Sequence, residues 1–99
     1  MRQFDVCRLK GRTEQIVVVL QHDLVDDLET RVVAPLSDKS YKKLIANLRL
    51  PVDFEGRRLV LQIDRMAAID RREIGNVVGR IDAEEQRIKS ALDLVFLGV

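Results

Sequence analysis

The sequence predicts a mainly β chain carrying α-helix: a small antiparallel barrel or sheet followed by a C-terminal helix. Three observations predict it. Runs such as "IVVVLQ" (16–21) and "RVVAPL" (31–36) are β-branched and apolar over strand-like lengths. "PVDFEGRRLVLQI" (51–63) reads as two strands around a Glu55-Gly56 turn. The stretch "IKSALDLVFLGV" (88–99) places its apolar residues at helical spacing. Ninety-nine residues, 46% hydrophobic and 33% charged, suit a single domain over 1–99 with one modest core.

Taken in order, "QFDVCRL" (3–9) alternates, with Phe4 and Val6 on one face. "KGRTEQ" follows as a turn, with Gly11 free to take a positive φ. "IVVVLQ" suits a strand covered on both faces. "HDLVDDLET" (22–30) is acidic and loop-like, yet holds Leu24, Val25 and Leu28. In "RVVAPL", Pro35 marks a strand end or an edge, because proline cannot donate to a ladder. "SDKSYKKLIANL" (37–48) shifts to helical spacing through Tyr41, Leu44, Ile45 and Leu48, behind a Ser37 or Asp38 cap. In the hairpin, Leu59, Leu61 and Ile63 alternate with Val60, Gln62 and Asp64, so one face is buried. "AAIDRREIGNVVGRI" (67–81) reads as an irregular strand or strand pair interrupted at Gly75 and Gly79.

The last segment carries the clearest helix signal. Asp82 and Glu85 have capping-box spacing. Ile88, Ala91, Leu92, Val95 and Val99 then form one narrow stripe that faces the sheet. Leu97 points away from that stripe, Leu94 lies well off it, and Phe96 is at its flank. A helix over one small sheet cannot bury both sides, so its outer side is expected to meet another chain. A contact that only seals a homodimer is the plainer form of that expectation.

Several function classes are disfavoured. A net charge of +1 offers no electrostatic footprint for nucleic acid or an anionic membrane. The terminal apolar run is far shorter than the ~20 residues that span a bilayer. The N-terminal stretch alternates and carries no signal-peptide pattern. One cysteine, Cys7, fits a reducing cytosol and a small buried hydrophobe. His22 lacks a second His or Cys at ligand spacing, so it reads as a solvated loop histidine, and no metal or cofactor is expected. Met66 reads as core filler, and the charges of "RRL" (57–59) and "DRREI" (70–74) as solvated faces. No phosphate loop or nucleophile elbow is present.

Three stretches together resemble the CcdB toxins, gyrase poisons of bacterial toxin–antitoxin pairs. They are "VVVLQHDLVDDLETRVVAPL" (17–36), "DRMAAI" (64–69) and "IKSALDLVFLGV" (88–99), and the likeness runs over nearly the whole chain. The resemblance implies an SH3-like barrel with a C-terminal helix, shared with MazF-type ribonuclease toxins, and a cytoplasmic homodimer. It implies a protein that is not an enzyme: one that binds the DNA gyrase A subunit, traps gyrase on cleaved DNA, and is neutralised by a CcdA-like antitoxin. Carried onto matching positions, the gyrase surface comprises Leu24, Val25 and Asp26 with Asp93, Phe96, Leu97, Gly98 and Val99. The antitoxin is expected to overlap it, without membrane contact or direct sequence-specific nucleic-acid binding. Two positions depart from the best-known toxins, which carry Trp where this chain has Leu97 and Asn where it has Asp93.

Two rival readings use the same fold. One is a MazF-like endoribonuclease, with His22, Arg57, Arg58 and Asp64 as candidate acid–base and phosphate groups. The other is a CcdB-like protein that keeps the dimer and its antitoxin without poisoning gyrase.

Overall fold

The computed structural model describes residues 1–25, 27–38 and 48–98 and, among these, all side chains but those of Arg12, Thr13 and Val25. Among the described residues, seven strands form one antiparallel sheet: β1 (Asp5–Leu9), β2 (Arg12–Val19), β3 (Thr30–Ser37), β4 (Arg49–Phe54), β5 (Arg57–Gln62), β6 (Ala67–Asp70) and β7 (Ile74–Arg80). The helix α1 (Glu85–Leu97) follows. The strand order is β4-β5-β3-β2-β1-β7, and β6 pairs with β3 alongside β5. No pairing joins β4 to β7 among the described residues, so the sheet wraps without closing.

Strand alternation sorts the core into two layers. Val18, Leu20, Ala34, Leu36, Leu59, Leu61 and Ile63 point to the face that receives Ile88 and Ala91 of α1. Cys7, Val17, Val19, Val33 and Ile74 form a smaller cluster on the other face. β2, which ends at Val19 rather than at Gln21, is thus covered on both sides over Val17, Val18 and Val19, as the continuous apolar run predicts.

The β4–β5 hairpin turns at Glu55 and Gly56, both with positive φ (51° and 75°). That pair of values is the type I′ signature, whose twist suits a two-residue hairpin. Gln62, opposite the Leu59–Leu61 face, is buried too, so the end of β5 is covered on both sides.

Four local expectations are corrected. The turn after β1 is only Lys10-Gly11, because Leu9 pairs with Arg12 and "RTEQ" already belongs to β2. Pro35 does not end β3, nor does it lie on an edge strand. Leu20 donates to the Val32 carbonyl (2.9 Å), so the even residues of β3 face β2 and Pro35 faces the other way. There, β6 pairing stops at Val33 and β5 pairing starts at Leu36, so the missing N–H falls where no ladder partner stands.

The third correction concerns 67–81. The segment is a strand pair, and the pairing of β7 with β1 slips register beside Gly79 and again beside Gly75, as an irregular strand should, but neither glycine interrupts β7. The break comes at the 3-10 turn Arg71–Glu73, where the Asp70 carboxylate accepts from the Arg72 backbone N–H at 2.8 Å. The Arg72 guanidinium beside it holds the Asp70 carboxyl down at about 2. This turn bridges the sheet: Arg71 N–H donates to Glu29 O and Lys10 N–H to Glu73 O, each at 2.8 Å. Fourth, the capping box does not form. Asp82 opens a 3-10 turn (Asp82–Glu84) and its carboxylate sits 3.6 Å from Arg80, while α1 starts at Glu85 without a side-chain cap. The helical reading of 37–48 falls mostly outside the described residues, and within them Ser37 closes β3.

Candidate protein-binding surface

The helix end is assembled by a mismatch of lengths. Ile81 N–H donates to Phe4 O (3.1 Å), and Arg87 donates to the Pro51 carbonyl (3.0 Å), fixing the start of α1 against β1 and β4. Ile88 and Ala91 are buried and Leu92 is half-buried. Beyond them the cover thins. Val95, expected on the inner stripe, is 39% exposed. Phe96 and Leu97 are each 70% exposed, and Leu94 is half-buried. The helix stops at Gly98, whose φ of 72° and N–H bond to Leu94 O (3.2 Å) form a left-handed cap.

A second apolar projection comes from the 3-10 turn Asp23–Val25, where Leu24 is 88% exposed. The N-terminal segment anchors this turn. Gln3 N–H donates to Asp23 Oδ1 (2.7 Å), and Gln3 Nε2 donates to Leu20 O (2.9 Å). Leu24 N–H donates to His22 Nδ1 at 3.0 Å. Buried Arg31 then ties the following loop by donating to the carbonyls of Leu28 and Thr30. Leu24 thus stands in water on a held turn rather than on a loose loop, which lowers the ordering cost of any contact it makes.

A family model described as the CcdB protein matches residues 3–98. The chain belongs to the CcdB family. No curated protein matches it. Among solved structures, an endoribonuclease from a mycobacterial species superposes with a TM-score of 0.80 at 14% identity, covering 100% of this chain and 92% of that one. A mycobacterial endoribonuclease in complex with its cognate antitoxin gives 0.77 at 14% identity, covering 100% and 96%. The Mycobacterium tuberculosis toxin MazF-mt6 gives 0.72 at 20% identity, covering 96% of each chain. At these identities the likeness establishes the fold.

On this CcdB-family chain, the residues singled out by resemblance fall in two places. Asp93, Phe96, Leu97 and Gly98 share the exposed end of α1, and Leu24 tips the separate turn after β2. No hydrogen bond or ion pair links the two places among the described residues. Asp26, Val99 and the side chain of Val25 lie outside the described residues. Sequence reasoning missed Gln3 and Asp23 as anchors of the Leu24 turn. No local signal marks them, because Gln3 and Asp23 are 20 residues apart in the chain.

The four candidate nuclease residues are not gathered. His22 uses Nδ1 on its own turn. Arg57 lies 3.5 Å from Asp38, and Arg58 lies 3.2 Å from Asp53. Asp64 accepts from Arg49 at 2.9 Å, which holds its carboxyl below the ordinary range and makes it a weak base. Among the described residues, no group of three or more His, Cys, Asp or Glu could hold a metal ion. No helix there is long and apolar enough to cross a membrane.

Proposed function

We propose that this chain is the toxin of a type II toxin–antitoxin pair: a homodimer that binds the DNA gyrase A subunit and traps gyrase on cleaved DNA. It works as a protein-directed poison rather than as an enzyme, its action lies in the cytoplasm, and a CcdA-like antitoxin covers the same surface. The observation that carries the reading is the helix end, where Phe96 and Leu97 stand 70% exposed on a member of the CcdB family. Large apolar side chains presented together on a rigid element are what a protein partner buries. A solved complex of the same fold with its cognate antitoxin supports the antitoxin partnership.

A second reading, a MazF-like endoribonuclease, is favoured by structural relatives described as endoribonucleases. Against it stand the separate ion pairs of its candidate residues and a net charge of only +1. A third, a CcdB-like protein that keeps dimer and antitoxin but spares gyrase, draws on Leu97 standing where the best-known toxins carry Trp.

One experiment separates all three. The protein is added to purified gyrase with supercoiled DNA and, separately, to labelled RNA without gyrase. Linear DNA that appears only with gyrase is the expected result. RNA cleavage without gyrase would establish the nuclease, and neither product, with antitoxin binding intact, would establish the third reading.

A further inference from the structure

The N-terminal segment makes a turn that its own residues do not favour. Asp5 N–H donates to Arg2 O (3.0 Å), so residues 2–5 close a β-turn, and Phe4, third in it, has a φ of 70°. A positive φ at the third position but not the second is the type II pattern, which favours glycine or asparagine there. For a bulky residue this backbone is strained and persists only where its surroundings fix it. Here they do. The Phe4 ring is 2% exposed, in the core that receives Ile88 and Ala91. Its N–H donates to Val19 O (2.7 Å), and its carbonyl accepts from Ile81 N–H (3.1 Å). Buried Asp5 braces the turn, accepting from Arg2 N–H at 2.7 Å and from Arg80 at 3.0 Å.

This turn touches both apolar projections. Phe4 takes the Ile81 N–H immediately before the 3-10 turn that leads into α1. Gln3 gives its N–H to Oδ1 of Asp23, the first residue of the turn that carries Leu24. The other Asp23 oxygen lies 3.9 Å from the Arg2 guanidinium, so both face the N-terminal segment. Gln3 cannot drift, because Phe4 beside it is pinned by its ring and by both of its backbone bonds. We infer that residues 2–5 position the Leu24 projection relative to α1, and that Asp23 is the positioning residue through which they do so. Its carboxylate oxygen acts on Leu24 and touches no partner. Without that hold, a partner spanning both projections would have to order the Leu24 turn itself, at a cost in affinity. The inference rests on the reading of Leu24 and the helix end as parts of one gyrase-binding surface, and adds to it the residues that keep those parts in place.

The test measures binding of the full-length chain to immobilised gyrase A subunit for the wild type, Asp23→Ala, Asp23→Asn, Leu24→Ala and the double variant Asp23→Ala with Leu24→Ala. Both residues are exposed, and thermal unfolding checks that each variant folds. Asparagine keeps an oxygen that accepts from Gln3 N–H and removes only the charge, whereas alanine removes both. The expected result is a loss of about tenfold, or about 1.4 kcal/mol, for Asp23→Ala, with Asp23→Asn within about twofold of the wild type. Because Asp23 acts through Leu24, the double variant should bind within about twofold of Leu24→Ala alone. Amide exchange at Gln3 should quicken in Asp23→Ala and slow again in Asp23→Asn. Equal losses for Asp23→Asn and Asp23→Ala would mean that the charge meets the partner directly, and additive losses would mean that Asp23 acts without Leu24. Either result overturns the inference while the functional reading stands, and so does unchanged binding by Asp23→Ala. No binding by the folded wild type would overturn the functional reading and this inference with it.

Discussion

Cys7 lies fully buried in β1, opposite Val17 of β2 and Val77 of β7. Burial pushes its thiol up to about 11, with the Asp5 charge adding in the same direction, because the thiolate is the form that loses water. Since the folded value is raised, the neutral thiol's contribution to stability is complete below the ordinary value of 9.0 and is lost as pH rises through about 11. At pH 8 a thiol reagent should therefore modify the native chain only as fast as it opens, and the urea-unfolded chain at the rate of a free thiol. Rapid native modification would show that β1 is accessible. The sequence pattern already placed Cys7 in an alternating strand, and its neighbours required the fold. Asp5 is a harder case, since nothing local marks a buried aspartate. Its carboxylate meets Arg80, 75 residues on, at 3.0 Å, and only the pairing of β1 with β7 creates that contact.

The elements show where sheet and helix depend on one another. Phe54, at the end of edge strand β4, covers Gly79 of edge strand β7 so closely that a Cβ there would lie 2.5 Å from the ring. Gly79→Ala should therefore cost about 1–3 kcal/mol, the usual range for overpacking, and Phe54→Leu should recover part of it. Equilibrium urea unfolding of the two single variants and the double variant measures both effects. The glycines of "IGNVVGR" resemble strand breakers in sequence, yet Gly79 lets the two open edges approach.

The helix divides in the same way. Ile88 is fully buried, so Ile88→Ala should lose about 2–5 kcal/mol. Removing residues 97–99 should cost far less, because Leu97 is mostly in water and the main local loss is the cap bond from Gly98 to Leu94. With a cost near 1 kcal/mol, the melting midpoint should fall by roughly 4–8 °C while toxicity disappears. Unfolding of the truncated chain would show instead that the last turn is structural.

For the whole molecule, the unsatisfied apolar area predicts association. Val95, Phe96 and Leu97 protrude from the helix end, and Leu24 and Leu28 from the loop after β2. Burying one such side chain against a partner is worth ~1.5–3 kcal/mol, and a two-fold homodimer displays each kind twice. Sedimentation equilibrium at micromolar concentration should give twice the chain mass of 11.4 kDa. A monomer there would overturn the proposed homodimer. A symmetric pair is also the simplest way to set two helix ends and two Leu24 turns on one face, since no hydrogen bond or ion pair joins them among the described residues of one protomer.

Local chemistry by itself determined the mainly β class, the 55–56 turn, the two-sided cover of the apolar run in β2 and the apolar stripe of the last helix. Each follows from periods of two or 3.6 residues, or from the backbone freedom of one glycine, and those are properties of a few neighbours in the chain. Family membership was equally legible, through the order and spacing of three stretches. Tertiary structure alone decided that Pro35 sits mid-strand at a gap between two partners, that Asp82 serves Arg80 instead of capping the helix, and that Val95 is left partly uncovered beside Phe96 and Leu97. The physical reason is one of reach. Periodicity says which side of a helix is apolar, but only the extent of the sheet beneath it says how much of that side is covered.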